Sequence, residues 1–201
     1  MKICTIIPVK PFAEAKRRLA PTLGPDERAH LAQELFQHVL ATALKFSRSV
    51  IVVSRAQDVL QFAEEHGAIG LKEKCRPYLN AALEQAAAHA RAHGAMKLLI
   101  VPSDLPLLAV ADLRALAKEE CAIAPDRRRH GTNALLWPAA QKLKFQFGPN
   151  SFDRHLAQAI AAGLRPRVVL RPGFAHDVDV PEDMVHECLT AHSNNVAVKS
   201  G

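Results

Sequence analysis

The sequence predicts a single α/β domain of Rossmann-like type, with a mainly parallel sheet and helices on both faces. Three observations carry that prediction. Short apolar runs alternate along the chain with segments of helical length and periodicity. The apolar runs are nearly continuous, as in strands covered on both faces. With 201 residues the chain can bury a sizeable core, and it contains no internal repeat and no linker-like composition.

The elements follow in order. "CTIIPV" (4–9) reads as a buried strand. Residues 26–45 read as a helix, opened by Pro25 and Asp26, with Leu31, Leu35, Val39 and Leu40 along one stripe. "SVIVVS" (49–54) is a second buried strand, followed by a helix to about His66. Residues 79–93 are Ala-rich and helical, and "KLLIVPSD" (97–104) is a third strand running into Asp104. Residues 109–119 form a helix, and "CAIAPD" (121–126) and "TNALLWP" (132–138) read as strands flanking an Arg-rich loop. Residues 151–162 are helical, "RVVLR" is a strand, and "PEDMVHECL" begins a last helix with Pro181 in its first turn. The domain is expected to span 1–190, with 191–201 a flexible tail.

Composition narrows the class of partner. The hydrophobic and charged fractions, 49% and 23%, are those of an ordinary globular protein, and the net charge of +6 favours anionic ligands. The cations recur in short loops at 10–18 and 127–130 and not along one stripe, which suits a small phosphorylated ligand better than nucleic acid. Cys4, Cys75, Cys121 and Cys188 form no CxxC pair and no zinc spacing. Cys4 and Cys121 lie in apolar runs, so buried free thiols and a reducing cytoplasm are expected. The apolar run at the start is short for a signal peptide, and no stretch reaches membrane-span length.

Four constellations could carry chemistry. After the first strand come Lys10, Lys16, Arg17 and Arg18 with no glycine before Gly24, so side chains and not a nest of backbone N–H groups would meet phosphate. Taken alone, the charge run reads more readily as a solvated basic loop. Asp104 follows the third strand at the sheet rim, as a metal ligand or as a turn aspartate. Asp177 and Asp179 are two residues apart and project to one side of an extended chain, where a cation would relieve their repulsion; helix capping is the other reading. Asp183 belongs to the first turn of the last helix. Finally "APDRRRHGTNALLWP" (124–138) and "FQFGPNSFDRHLAQA" (145–159) bring Thr132, a Gly148–Pro149–Asn150 turn and Ser151 at a helix start, a place for an anion or an ordinary cap. His155 reads as a packing or surface residue and not as a base. No GxGxxG, GxxxxGK[ST] or GxSxG is present. Three carboxylates, a basic loop and an anion pocket without a nucleophile suit metal-assisted phosphoryl or nucleotidyl transfer.

The blocks "PVKPFAEAKRRLAPTLGPDERAHLAQELFQHVL", "VPSDLPLL", "APDRRRHGTNALLW", "FQFGPNSFDRHLAQA" and "DVDVPEDM" resemble, in order, those of the 2-phospho-L-lactate guanylyltransferase family of coenzyme F420 biosynthesis. The resemblance runs from Ile6 to about Met184. It implies a nucleotidyltransferase fold and transfer of GMP from GTP, with Mg²⁺, to the phosphate of 2-phospho-L-lactate, phosphoenolpyruvate or a phosphoglycerate. Asp104, Asp177 and Asp179 would hold two Mg²⁺ ions. Lys10 would contact the acceptor phosphate, and with Asp104 it is expected to act most directly on the transferring groups. Thr132, Gly148 and Ser151 would hold the acceptor carboxylate. Lys16 and Arg18 would face the GTP phosphates, Arg127 would help screen them, and Asn80 would lie near the nucleoside. A homodimer, and a downstream transferase taking a labile product, are compatible with this reading. The alternatives are a same-fold nucleotidyltransferase with another acceptor or base, and a non-catalytic nucleotide- or RNA-binding module, whose binding would survive removal of Mg²⁺ and weaken steeply with salt.

Overall fold

The computed structural model describes residues 2–74 and 78–184. Cys75, Cys188, the tail 191–201 and the helix expected beyond Met184 lie outside the described residues. Seven strands form one sheet: β1 (Ile3–Pro8), β2 (Val50–Ser54), β3 (Ile69–Lys72), β4 (Lys97–Ile100), β5 (Ala122–Pro125), β6 (Thr132–Pro138) and β7 (Arg167–Val168). Their spatial order is β3-β2-β1-β4-β6-β5-β7. β6 runs antiparallel to both neighbours, and every other pairing is parallel. The mainly parallel sheet is therefore observed, with one reversed strand.

The helices are α1 (Pro25–Phe46), α2 (Gln57–Glu65), α3 (Leu79–Ala92), α4 (Val110–Ala117), α5 (Ser151–Ala161) and the single turn α6 (Pro172–Ala175). They cover both faces because successive strand side chains point in opposite directions. On one face Val50, Val52, Leu99 and Leu136 pack against Phe36 and Val39 of α1, Val59 of α2, Leu113 of α4 and Phe174 of α6. On the other, Ile51, Val53, Leu98, Ile100 and Trp137 pack against Leu83 and Ala86 of α3 and Phe152 and Ala159 of α5. Small Ala side chains let α3 approach the sheet closely. Cys4 and Cys121 are buried free thiols within this second layer.

Several boundaries differ from the sequence-based expectation. β4 ends at Ile100, so Asp104 stands four residues beyond the strand in a loop. Only Arg167 and Val168 of "RVVLR" pair as a strand, because Arg171 turns away to begin α6. The segment after Val180 is a 3-10 turn, Pro181–Met184. No helix among the described residues is long and apolar enough to cross a membrane.

A third, smaller apolar cluster matters for the site. Leu19 and Val178 pack on Leu31 and Leu35 of α1. That contact brings the basic loop after β1 against the extended segment carrying Asp177 and Asp179.

Candidate active site

The rim of the sheet at the carboxyl ends of the parallel strands holds a cleft of about 290 Å³. Lys10, Lys16, Arg55, Glu73, Asp104 and Asp179 line it, together with apolar Pro8, Val9, Leu79 and Ala82. A second cleft of about 120 Å³ adjoins it and is lined by Arg18, Asp126, Arg127, Arg128, Asp177 and Asp179. Asp179 borders both.

At the junction lies Lys16. Its backbone is left-handed, with φ 53°, a conformation that costs a non-glycine residue about 1–2 kcal/mol. The flanking 3-10 turn Arg17–Leu19, pinned by buried Leu19, imposes it. The side chain is only 6% exposed; its ammonium donates to Asp104 Oδ2 and to the Val178 carbonyl at 2.6 Å each, and lies 3.6 Å from Asp179 Oδ1. Burial alone would drive this lysine toward its neutral form. The negative charge of Asp104, with Asp179 and Asp177 behind it, outweighs that and holds the pKa above the ordinary lysine value.

Asp177 is held from the opposite side. Asn133 Nδ2 donates to Asp177 Oδ1 at 3.2 Å and to the Phe174 carbonyl at 2.8 Å. Burial raises the Asp177 pKa, and the charge of Asp104 raises it further, against the hydrogen bond from Asn133. The Val178 N–H donates to the Asp104 carbonyl at 3.4 Å. Asp183 accepts from the N–H groups of Asp179 (3.0 Å) and Val180 (2.9 Å), so it fixes the carboxylate-bearing segment. Arg171 donates to buried Asp112 at 2.5 Å and anchors the entry to that segment.

Among the described residues no three acidic, His or Cys side chains form a preformed metal cage. The donor set nevertheless fits a hard cation. Three carboxylates approach one region, all oxygen donors, and the one ammonium bonded to Asp104 stands where their charge demands a positive partner.

The Arg-rich turn is organised by its carboxylate. Asp126 accepts from the N–H groups of His130 (2.9 Å) and Gly131 (2.8 Å), closing the connection between antiparallel β5 and β6 with Arg129 left-handed at φ 56°. A Cβ at Gly131 would lie 2.8 Å from Asp126 Oδ2, which is why glycine stands there. Arg127 is held by its N–H to the Ala175 carbonyl (3.0 Å) and lies 3.7 Å from Asp183. It therefore borders the second cleft beside Arg18, whose guanidinium is 3.8 Å from Asp179.

Thr132 bonds to His155, and Ser151 stands four residues before it in α5; Thr132, Gly148 and Ser151 line neither of the two clefts. The Gln146 N–H donates to His155 Nε2 at 3.2 Å, and Nδ1 lies 3.0 Å from Thr132 Oγ1. A backbone N–H can only donate, so Nε2 accepts and the ring proton sits on Nδ1. Nδ1–H then donates to Thr132 Oγ1, so the threonine hydroxyl proton is not spent on His155. The ring is 0% exposed, and burial lowers its pKa to about 4, with Arg154 adding to the effect. His155 is thus a neutral, fixed packing residue with a positioning role. Ser151 is buried at the start of α5 with Asn150 before it as the cap, left-handed at φ 57°. Its N–H is already bonded to the Gly148 carbonyl (3.1 Å), and that of Phe152 to His130 (3.3 Å). Donation to an anion from this turn falls mainly to side chains. Asn80 makes a two-way pair with the Phe147 backbone, at 3.2 Å and 2.8 Å, tying α3 to the turn at Gly148. Leu79 and Ala82 form the cleft wall there.

Asn133 carries no local sequence signal for its role, because its double contact depends on Phe174 and Asp177 lying beside β6. Glu73 lay after a strand the sequence did not reveal.

Residues 3–199 match the family model described as Guanylyl transferase CofC like. The chain is 43% identical over 191 residues to a phosphoenolpyruvate guanylyltransferase of Rubrobacter xylanophilus, covering 92% of each. It is 38% identical over 189 residues to a 2-phospho-L-lactate guanylyltransferase of Methanothermobacter thermautotrophicus, covering 92% of this chain and 83% of the relative. A solved structure from Desulfovibrio desulfuricans, provisionally assigned as a nucleotide-diphospho-sugar transferase, superposes with a TM-score of 0.77 at 16% identity over 98% of this chain and 96% of that one, a likeness of fold. The chain belongs to the guanylyl transferase CofC-like family and is a nucleotidyltransferase.

Proposed function

We propose that this enzyme transfers GMP from GTP to the phosphate of a small phosphorylated acid, phosphoenolpyruvate or 2-phospho-L-lactate, in coenzyme F420 biosynthesis. Family membership supports the reaction class. The observation that carries the reading to this site is the meeting of Asp104, Asp177 and Asp179 around Lys16, where the two clefts adjoin.

An acceptor phosphate oxygen attacks the α-phosphorus of GTP. The bond from that phosphorus to the bridging oxygen of the β-phosphate breaks, and pyrophosphate leaves. The nucleophile is already ionised near neutral pH, so no side chain need remove a proton. Asp104, Asp177 and Asp179 would hold Mg²⁺, which neutralises phosphate charge when bound. Lys10 and Lys16 bring positive charge to the first cleft, and Arg18 and Arg127 to the second. The Thr132 hydroxyl, oriented by His155, donates to the acceptor carboxylate, with Ser151 and the open turn at Gly148 beside it. A GTP-dependent step suits the cytoplasm, and the reactive phosphoanhydride product calls for a second transferase that consumes it.

Incubation with GTP, Mg²⁺ and each acid in turn tests the reading. Pyrophosphate release should require both substrates, and mass spectrometry should find the acid plus GMP. Release independent of every acid offered would overturn it.

A further inference from the structure

Glu73 has a setting that the transfer chemistry does not use. It follows β3 directly, and Arg55, Lys10 and Asp104 follow the three strands beside it, β2, β1 and β4. Three strand spacings of about 4.8 Å therefore separate the Glu73 end of the cleft from the Asp104 end, about 14 Å. The backbone around Glu73 is pinned on three sides. Its own N–H donates to the Ser54 carbonyl at 2.9 Å. Gln85 of α3 accepts from the Lys74 N–H at 2.9 Å and donates to the Lys72 carbonyl at 2.8 Å. Glu73 lines the cleft, and its carboxylate accepts no hydrogen bond from any described residue. Nearby Arg55 is engaged by Glu14. Burial raises the Glu73 pKa, with Arg55 opposing, so this carboxylate is partly desolvated without a bonded partner. Leu79, 41% exposed at the mouth, and Ala82 supply an apolar wall beside it.

We infer that Glu73 reads the guanine edge of the nucleotide, its two carboxylate oxygens accepting from N1–H and the N2 amino group. This rests on the proposed use of GTP. The chemistry selects that base. A carboxylate only accepts, and guanine alone among the common bases presents two parallel donors on one edge. Adenine and cytosine place an acceptor beside the amino group, and uracil flanks its N–H with two carbonyls. With the base against Leu79 and Ala82 and its edge on Glu73, the phosphates lie toward Lys10, Lys16 and Asp104.

The test compares the full-length wild-type protein with Glu73→Gln and Glu73→Ala. Binding of GTP, ITP and XTP is measured by calorimetry with Mg²⁺, and pyrophosphate release with phosphoenolpyruvate is followed in parallel. Loss of charge-assisted hydrogen bonds should weaken GTP binding roughly tenfold to a hundredfold in both variants. Glu73→Gln should in addition gain XTP binding over wild type, because an amide accepts from N1–H and donates to the xanthine C2 carbonyl. Glu73→Ala should bind GTP and ITP about equally. Retention by Glu73→Gln of the wild-type preference for GTP over XTP would overturn the assignment, whatever the transfer assay shows. A wild-type protein that binds GTP but releases no pyrophosphate with any acid would instead refute the proposed reaction.

Discussion

Acid should destabilise the fold through His155. The ring is fully buried, one nitrogen accepts from Gln146, and its pKa falls from 6.5 to about 4. Protonation would turn Nε2 from an acceptor into a donor facing another donor. The folded pKa lies below the unfolded one, so the contribution is fully present above about pH 6.5 and is lost as pH falls toward 4, where the unfolded chain takes up a proton that the folded state refuses. At 1.36 kcal/mol per pH unit, the fall from 6.5 to about 4 is worth about 3 kcal/mol in total, most of it lost between pH 7 and pH 4.5. Urea unfolding of wild type and His155→Gln at several pH values isolates the effect, since the carboxylates titrate in both. The variant should be less stable at pH 7, because it loses the bonds to Thr132 and Gln146, yet its stability should fall less on acidification by about that amount. The His155 ring resonance should also stay unshifted to pH 5 while exposed histidines titrate. Parallel stability curves, or a His155 titration near 6.5, would refute both the neutral tautomer and the donor role it gives Thr132.

Other substitutions probe the surrounding framework. Lys16→Met should cut transfer roughly tenfold to a hundredfold in kcat, as loss of a charged hydrogen bond does, with circular dichroism unchanged; full activity would return Lys16 to a structural role. Asn80→Ala should lower unfolding free energy by about 1–3 kcal/mol, because the Phe147 N–H and carbonyl lose their partner. Chemical denaturation checks it, and an unchanged midpoint would count against the tie. Gly131→Ala should drive a methyl into Asp126 and disorder the Arg-rich turn, raising KM for the acid and, through Arg127, weakening GTP binding as well; steady-state kinetics with unchanged KM for both substrates would count against the turn's role.

Apolar runs made most of the sheet legible, because strands covered on both faces must be apolar throughout. β3 escaped for the converse reason. "IGLK" is an edge strand, Ile69 is exposed, and its pairing partner β2 supplies the order. The reversal of β6 could have been inferred from its short connection to β5, since a parallel return needs a crossover of a dozen or more residues. Asp104, Asp177 and Asp179 stood out as rim carboxylates. What lay hidden were contacts across long sequence separations: Lys16 with Asp104, Asn133 with Asp177 and Asn80 with Phe147. Charge counting predicted a basic loop facing phosphate. It could not predict that Leu19 would bury that loop on α1 and turn Lys16 inward onto the carboxylates.

In the proposed reaction the three carboxylates hold the cation on which transfer depends. Asp104→Asn, Asp177→Asn and Asp179→Asn, each assayed for pyrophosphate release across a Mg²⁺ titration with GTP and phosphoenolpyruvate, test it directly. Each should lower the rate by roughly a hundredfold or more, the scale of losing one electrostatic stabiliser, while the folded state persists. Two of the three turning over near the wild-type rate at low Mg²⁺ would contradict the account.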